Sequence, residues 1–247
     1  MANWSDPRPN ASAFPAAGTV GTAAFDAGLR SYMLSVYNYM LSGILLTGLV
    51  AMFFSWGGLD SPAAHILIGG GPLAWIIMLA PLGFVFAMSY GAARMAPGTL
   101  QAMFWGFAVA MGLSLSTVFL RYTGTSVAQA FFATSAAFAG LSLYGYTTKR
   151  DLSAFGTFLV MGLVGLIVAM LLNVFFQSGP LALVINIVGV LLFAGLTAYD
   201  TQRTKSVYAY VAGTEDEQRT VIMSALTLYL DFINMFLFIL RMFGNRN

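Results

Sequence analysis

Residues 152–199 read LSAFGTFLVMGLVGLIVAMLLNVFFQSGPLALVINIVGVLLFAGLTAY and contain no Asp, Glu, Lys or Arg. A helix that crosses a bilayer needs about 20 mainly apolar residues, so these 48 residues are too many for one span. The segment Gln177-Ser178-Gly179-Pro180 interrupts the run with a glycine and a proline, which favour a turn. The stretch therefore predicts two consecutive membrane spans.

Further apolar stretches lie on both sides of this pair. Residues 31–59, 95–120 and 122–148 carry no charge, and residues 61–93 carry none besides His65. A last apolar stretch at about 220–243 contains Asp231 and Arg241. Because of these two charges, it is predicted to be either a seventh full span or a half-inserted helix. The chain is thus predicted to be an all-α membrane protein with spans at about 32–55, 72–92, 99–120, 126–147, 154–176, 180–202 and 220–243.

The composition excludes several classes of protein. Of 247 residues, 59% are hydrophobic and 8% charged, against about 25% charged in a soluble domain. The chain has no Cys and one His, which excludes disulfides, thiolate nucleophiles and metal sites built from several Cys or His residues. The net charge of +2 is too small to indicate a nucleic-acid surface. We expect no cofactor, and one transmembrane domain over 31–247 behind a disordered polar leader at 1–30.

Basic residues in the loops predict the orientation, because cytoplasmic loops are enriched in Lys and Arg. With a cytoplasmic N-terminus, the outer loops hold only Arg121. The tail residues Arg241 and Arg246 lie outside if the last helix spans, and inside if it is re-entrant. The inner segments then hold eight basic residues, which are Arg8, Arg30, Arg94, Lys149, Arg150, Arg203, Lys205 and Arg219.

Two acidic residues, Asp200 and Asp231, lie within predicted spans. A carboxylate at bilayer depth costs about 2.5–3.5 kcal/mol, and such residues usually face a partner or a water-filled cavity. Polar residues at helical spacing accompany them, which predicts an internal hydrophilic path; the alternative is a set of hydrogen bonds that only hold the bundle together. These residues are Ser224, Thr227, Asn234 and Arg241 in the last helix, Asn186, Thr197 and Thr204 in span six, and Ser31, Ser35, Asn38 and Ser42 in span one.

Arg94 ends span two on the predicted inner side, where Asp200 ends span six. An ion pair between them is geometrically possible, and the alternative is an ordinary basic anchor at the membrane surface. We also expect Asp200 and Asp231 to lie within hydrogen-bonding distance and to share a proton, because both polar faces must turn inward.

Three stretches resemble the Bax inhibitor-1 family, the transmembrane Bax-inhibitor-motif proteins, in its bacterial form. They are SVYNYMLSGILLTG at 35–48, the loop YGYTTKRDLS at 144–153, and AYD at 198–200 together with LYLDFINMF at 228–236. The resemblance covers about 30–247 in order. It implies a seven-helix bundle with the last helix near the centre. We expect a bacterial inner membrane as its location, with the cytoplasmic N-terminus that the basic residues predict.

The resemblance also implies a function. Family members are associated with pH-gated calcium leak, with an aspartate pair as proton sensor and an arginine of the second helix as latch. Asp200 and Asp231 match the pair, and Arg94 matches the latch. The partners implied are the lipid bilayer and calcium ions, and the two aspartates would be transient Ca²⁺ ligands.

Two alternatives remain open beside a pH-regulated calcium leak channel. An intramembrane aspartyl protease also uses two membrane aspartates, one as acid and one as base, but the Gly-x-Gly-Asp signature is missing around Asp200 and Asp231. The other alternative, which the resemblance implies, is a modulator of a membrane protease or of a cell-death partner.

Overall fold

The computed structural model describes the backbone of residues 17–245 and the side chains from residue 24 to residue 245. This part is helical, without strands, and seven of its helices are long and apolar enough to cross a membrane. The seven are α1 (Ala17–Phe54), α2 (Pro72–Gly91), α3 (Pro97–Arg121), α4 (Gly124–Thr147), α5 (Ser153–Phe176), α6 (Gly179–Val211) and α7 (Glu217–Phe243). The predicted all-α fold with seven spans is confirmed.

The first helix begins earlier than the sequence predicts. Residues 1–16 of the expected disordered leader lie outside the described residues, but the segment from Ala17 to Arg30 belongs to α1. Its packing explains the difference. The rings of Phe25 and Tyr208 are 5.2 Å apart, and Leu29 is buried, so this part of α1 packs against the end of α6.

Helix α6 is also longer than predicted. It continues past residue 202 to Val211, and its 33 residues give a length of about 50 Å, compared with about 30 Å for the hydrocarbon core. Residues 203–211 of the predicted loop are therefore helical. Hydropathy predicts only the part of α6 that lies inside the bilayer. The helix itself continues beyond the bilayer, and this additional part is rich in polar residues.

Helix α7 lies at the centre of the bundle. It packs against α1, α3, α4 and α6, and a larger share of its apolar window is buried than in any other described helix. It is continuous over 27 residues, about 40 Å. The last apolar stretch is therefore a full span rather than a half-inserted helix.

The connections define two faces of the bundle. At the basic face, Arg219 Nε donates to the carbonyl oxygen of Met95 at 2.9 Å, and Lys205 Nζ donates to that of Tyr146 at 2.8 Å. These bonds join the first turn of α7 to the α2–α3 connection, and α6 to the last turn of α4. At the opposite face, the Thr123 amide donates to the carbonyl oxygen of Asn245 at 3.1 Å. Of the described Lys and Arg residues, only Arg121 and Arg241 lie toward that opposite face.

The α4–α5 connection, residues 148–152, is held by α6. Gln202 Oε1 accepts a hydrogen bond from the Leu152 amide at 2.8 Å, and Gln202 Nε2 donates to the Arg150 carbonyl oxygen at 2.7 Å. The side chain and the backbone amide of Ser153 form hydrogen bonds with the carboxylate of Asp151 and lower its pKa. The ionised carboxylate precedes the first turn of α5, where negative charge is favourable.

Helix α5 is the most peripheral of the seven. It packs mainly against α6, and the smallest share of its apolar window is buried among the seven spans of the described chain. Because α5 does not pack closely against α7, a space remains between these two helices beside α6.

Candidate functional site

The space between α5, α6 and α7 is a cavity of about 620 Å³. Its α5 wall is apolar and includes Leu163, Ile167 and Met170. The other two helices contribute its polar residues, which are Tyr199, Asp200 and Arg203 from α6 and Thr227, Asp231, Asn234 and Arg241 from α7. The cavity is therefore apolar on its α5 side, whereas its α6 and α7 sides carry polar and charged side chains.

Asp200 and Asp231 meet across the α6–α7 interface beside this cavity. Both are buried, with 8% and 4% of their surface exposed. A side-chain hydrogen bond joins the two carboxyl groups. Because an ionised carboxylate can only accept hydrogen bonds, a hydrogen bond between the two carboxyl groups forms only when at least one of them is protonated.

One carboxyl oxygen of the pair has no hydrogen-bond partner among the described residues. This atom, Asp231 Oδ2, is buried. The nearby positive charge that acts on Asp200 comes from Arg203, about one turn further along α6. A buried acceptor without a protein partner is unusual in a folded protein, and the lone pairs of this oxygen can bind a water molecule, a proton or a cation.

Two further polar side chains face the cavity from α7. Asn234 Nδ2 donates to the Leu230 carbonyl oxygen at 2.8 Å, and the Thr227 hydroxyl donates to that of Met223 at 3.2 Å. The amide oxygen of Asn234 and the hydroxyl oxygen of Thr227 remain available as ligands. Within the described residues, no cluster of three or more His, Cys, Asp or Glu side chains could hold a metal. Since Ca²⁺ takes 6–8 oxygen ligands, an ion here would keep much of its water.

Arginines flank the carboxyl pair in both directions along the cavity. Arg203 lies toward the basic face and Arg241 toward the opposite face. The ring of Phe238 lies 5.7 Å from the Arg241 guanidinium carbon. A cation that moves through the cavity must therefore pass a positive charge before and after the carboxyl pair.

Eight of the predicted polar residues do not line this cavity, and they are Ser224, Asn186, Thr197, Thr204, Ser31, Ser35, Asn38 and Ser42. Ser224 contacts the Tyr32 hydroxyl at 3.4 Å, and Thr197 is buried with its hydroxyl donating to the Phe193 carbonyl oxygen. Asn186 is half-buried away from the cavity. The expectation for Asn38 is wrong, because its side chain is exposed on the outside of the bundle. The buried face of α1 carries apolar residues and Thr47 instead.

The expected ion pair of Arg94 with Asp200 is not formed in this structure. Arg94 is exposed in the turn after α2, and the ion pair found among the described residues is Arg219 with Asp216 at 2.6 Å. The packing of the helices gives the reason. Helix α2 packs against α3, whereas α6 packs against α4, α5 and α7, so the two residues belong to different parts of the bundle.

Sequence reasoning missed two features near the pair. The hydropathy pattern predicts that span six ends at about 202, which places Arg203 in a loop. Its spacing of three from Asp200 is nevertheless the spacing of two residues on one helix face. A chain of hydroxyls also reaches α6, with Tyr37 and Ser142 bonded at 2.7 Å and Ser142 and Thr201 at 3.1 Å. No periodicity in a single helix shows such a chain, because it joins three helices.

Comparison with known proteins identifies the family. The family model described as "Inhibitor of apoptosis-promoting Bax1" matches residues 29–247. An uncharacterised protein of Rickettsia prowazekii is 48% identical, over 90% of this chain and 92% of the relative. The inner membrane protein YbhL of Escherichia coli is 41% identical, over 89% of this chain and 94% of the relative. An uncharacterised membrane protein of Streptococcus pyogenes is 34% identical, over 90% of this chain and 96% of the relative.

The match extends from the part of α1 that packs on α6 to the end of α7, and it includes both aspartates of the cavity. The chain is therefore a multi-pass membrane protein that belongs to the Bax inhibitor-1 family.

Proposed function

We propose that this protein is a calcium leak pathway that is regulated by protonation of the Asp200–Asp231 pair. The observation that carries the proposal is the hydrogen bond between two buried carboxyl groups beside an intramembrane cavity. Buried acidic groups in a membrane protein are unfavourable unless they have a role or a partner. Here the partner of each acid is the other acid.

The protonated pair represents the closed state. With one proton between them, the two carboxyl groups carry a single negative charge, which Arg203 offsets from the same helix. The pair titrates as a unit because removal of the proton changes both groups at once. The closed state therefore combines a hydrogen bond across α6 and α7 with a local balance of charge.

Loss of the proton changes the site in two ways. The hydrogen bond disappears, and two negative charges lie together in a poorly solvated space, where they repel each other strongly. A divalent cation relieves this repulsion, and a hard cation such as Ca²⁺ prefers the carboxylate, amide and hydroxyl oxygens present here. We therefore expect calcium flux to rise as pH rises through the titration of the pair.

Calcium flux into dye-loaded proteoliposomes over a pH series tests this proposal. The wild-type chain is compared with Asp200→Asn, Asp231→Asn and the double variant, each at equal reconstitution. Each substitution keeps shape and polarity but removes the titration, so the pH profile should flatten in both single variants. The double variant should add little, because the two groups act as one unit.

Asp60→Asn is the matched control, because Asp60 is exposed in the α1–α2 connection. It should retain the wild-type profile. If Asp200→Asn and Asp231→Asn also retain it, the pair is not the sensor and the proposal fails.

The carboxyl pair also favours one alternative, an intramembrane aspartyl protease. Two carboxyl groups that share a proton can activate a water molecule, one as base and one as acid. The distinguishing experiment is cleavage of a transmembrane reporter peptide in proteoliposomes. Cleavage by the wild-type chain that is lost in Asp231→Asn would support the protease over the leak pathway.

We further propose that the basic face lies in the cytoplasm, with the N-terminus on that side. The enrichment of Lys and Arg at this face of the described chain supports the orientation. The E. coli relative is named an inner membrane protein, which supports the same location for this chain.

A further inference from the structure

The outward side of α1 carries polar residues where lipid chains would be its neighbours. Asn38 and Ser42 are exposed on the side opposite to the buried residues Val36, Met40 and Thr47. Within the described residues, neither the Asn38 amide nor the Ser42 hydroxyl has a hydrogen-bond partner. Asn38 lies eight residues after Arg30, about 12 Å along the helix axis, which is too deep for the headgroups to reach easily.

These polar residues belong to a regular line that we name the α1 seam. Its members follow at intervals of 4, 3, 4, 3, 4 and 3 residues, and they are Ser31, Ser35, Asn38, Ser42, Leu45, Leu49 and Met52. This alternation is the seam of a left-handed helix pair. Leu45 and Leu49 are 61% and 50% exposed, so the apolar half of the seam is as unpartnered as the polar half. The seam is about 32 Å long, close to the thickness of the hydrocarbon core.

An uncovered asparagine amide is poorly placed in hydrocarbon. The bilayer core contains no water to satisfy its donor and acceptor groups, whereas asparagines that face another helix form hydrogen bonds that favour helix association. The partner of the α1 seam must therefore supply both an acceptor and a donor at the depth of Asn38.

We propose that the α1 seam is the interface of a parallel homodimer in which Asn38 of one copy is hydrogen-bonded to the same residue of the other. Two copies inserted with one topology run parallel, and a twofold axis along the membrane normal places identical residues opposite each other. An asparagine amide is complementary to itself, because it carries a donor and an acceptor.

Charge and size along the seam fit a second copy of this chain. No charged residue lies between Arg30 and Asp60, so two seams approach each other without repulsion between like charges. The serines Ser31, Ser35 and Ser42 are small enough for the two helices to approach closely. Leu45, Leu49 and Met52 then supply apolar packing in the second half of the seam.

The dimer is independent of the proposed ion pathway. The carboxyl cavity is lined by α5, α6 and α7, and α1 contributes nothing to it. The test therefore reads association directly and requires no measurement of flux.

Single cysteines provide this test, because the 247-residue sequence contains none. Ser42→Cys and Leu45→Cys place a thiol on the seam, and Leu41→Cys is the matched control at the same depth. Leu41 is 50% exposed but faces the groove between α1 and α4. Oxidation in membranes at low expression should give at least about fivefold more disulfide-linked dimer at the two seam positions, since a disulfide requires Cα atoms within about 7 Å.

The pattern of cross-linking decides between partners. No dimer at the seam positions, or equal dimer at Leu41→Cys, overturns the proposal. A mixed disulfide with a protein of different mass, in place of the dimer, shows that another protein covers the seam and overturns it as well.

Substitution of Asn38 supplies a second measurement that does not involve a disulfide. The dimer fraction is counted by single-molecule photobleaching in liposomes for Asn38→Leu and Asn38→Gln. Loss of the amide should weaken dimerisation about threefold or more, as expected for an interhelical hydrogen bond, whereas Gln should retain most of it. Equal dimerisation of wild type and Asn38→Leu would contradict the assigned role of this residue.

Discussion

The hydrogen bond between Thr47 and Tyr229 gives a sharp prediction about what holds α7 in the bundle. The Tyr229 hydroxyl and Thr47 Oγ1 are 2.7 Å apart, and Thr47 Oγ1 donates to the Ala108 carbonyl oxygen at 2.8 Å. Tyr229 must therefore be the donor to Thr47. Their side chains are 0% and 2% exposed, so the chain of bonds joins α7, α1 and α3 without access to lipid or water.

The two possible deletions should differ in severity. In Tyr229→Phe, Thr47 loses an accepted hydrogen bond but still donates to Ala108, so we expect a loss of about 0.6 kcal/mol of unfolding free energy. In Thr47→Val, the Tyr229 hydroxyl remains buried without an acceptor, which should cost about 1–3 kcal/mol. The double variant removes both polar groups and should lose less than the sum of the single variants.

Equilibrium unfolding in mixed detergent micelles measures these differences for the four proteins. The reasoning predicts the order wild type, Tyr229→Phe, Thr47→Val from most to least stable, with a coupling of about 0.5–1 kcal/mol between the two sites. If Tyr229→Phe is the more damaging change, or if the two losses simply add, the assigned direction of the hydrogen bond is wrong.

Three further predictions concern topology, gating and packing. A cysteine in Ser153→Cys should resist an impermeant thiol reagent in intact cells and react after permeabilisation, because the enrichment of Lys and Arg places the basic face in the cytoplasm under the proposed orientation. Arg203→Gln should shift the calcium-flux profile to higher pH, because the carboxyl pair keeps its proton longer without a nearby positive charge, and Arg94→Gln should leave the profile unchanged. In Gly189→Ala, the new Cβ would lie 2.7 Å from a phenyl ring of α7, which should cost about 1–3 kcal/mol in an unfolding titration. Gly165→Ala has open space and should cause no loss.

The sequence predicts the number and type of helices because membrane spans have a strong signal in length and apolar character. The ends of α1 and α6 were harder to predict, since hydropathy marks the bilayer rather than the helix. The segment from Ala17 to Arg30 and residues 203–211 are helical beyond that region. Because these two segments contain polar residues, a hydropathy profile predicts them to be loops. The packing of α1 on α6 stabilises both segments as helix.

The candidate site was partly predictable for a different physical reason. The high cost of a carboxylate in the bilayer pointed to Asp200 and Asp231, and the structure brings these two together. Periodicity shows which residues share a helix face, but it does not show which way that face points. Asn38 was therefore assigned to the interior, although it lies on the outside of α1.

The peripheral position of α5 has a consequence for how the membrane affects this protein. Helix α5 is held mainly by α6 and forms the apolar wall of the cavity. The exposed apolar side chains on its far side, such as Phe158 and Val164, are suited to contact with acyl chains. Lateral pressure and bilayer thickness would therefore act on the one wall of the cavity that is held in place mainly by α6. A thinner or more fluid bilayer that lets α5 tilt away admits more water to the pair and strengthens the solvation of its ionised form. Under the proposed mechanism, the lipid composition of the host membrane therefore helps to set the pH at which the carboxyl pair responds.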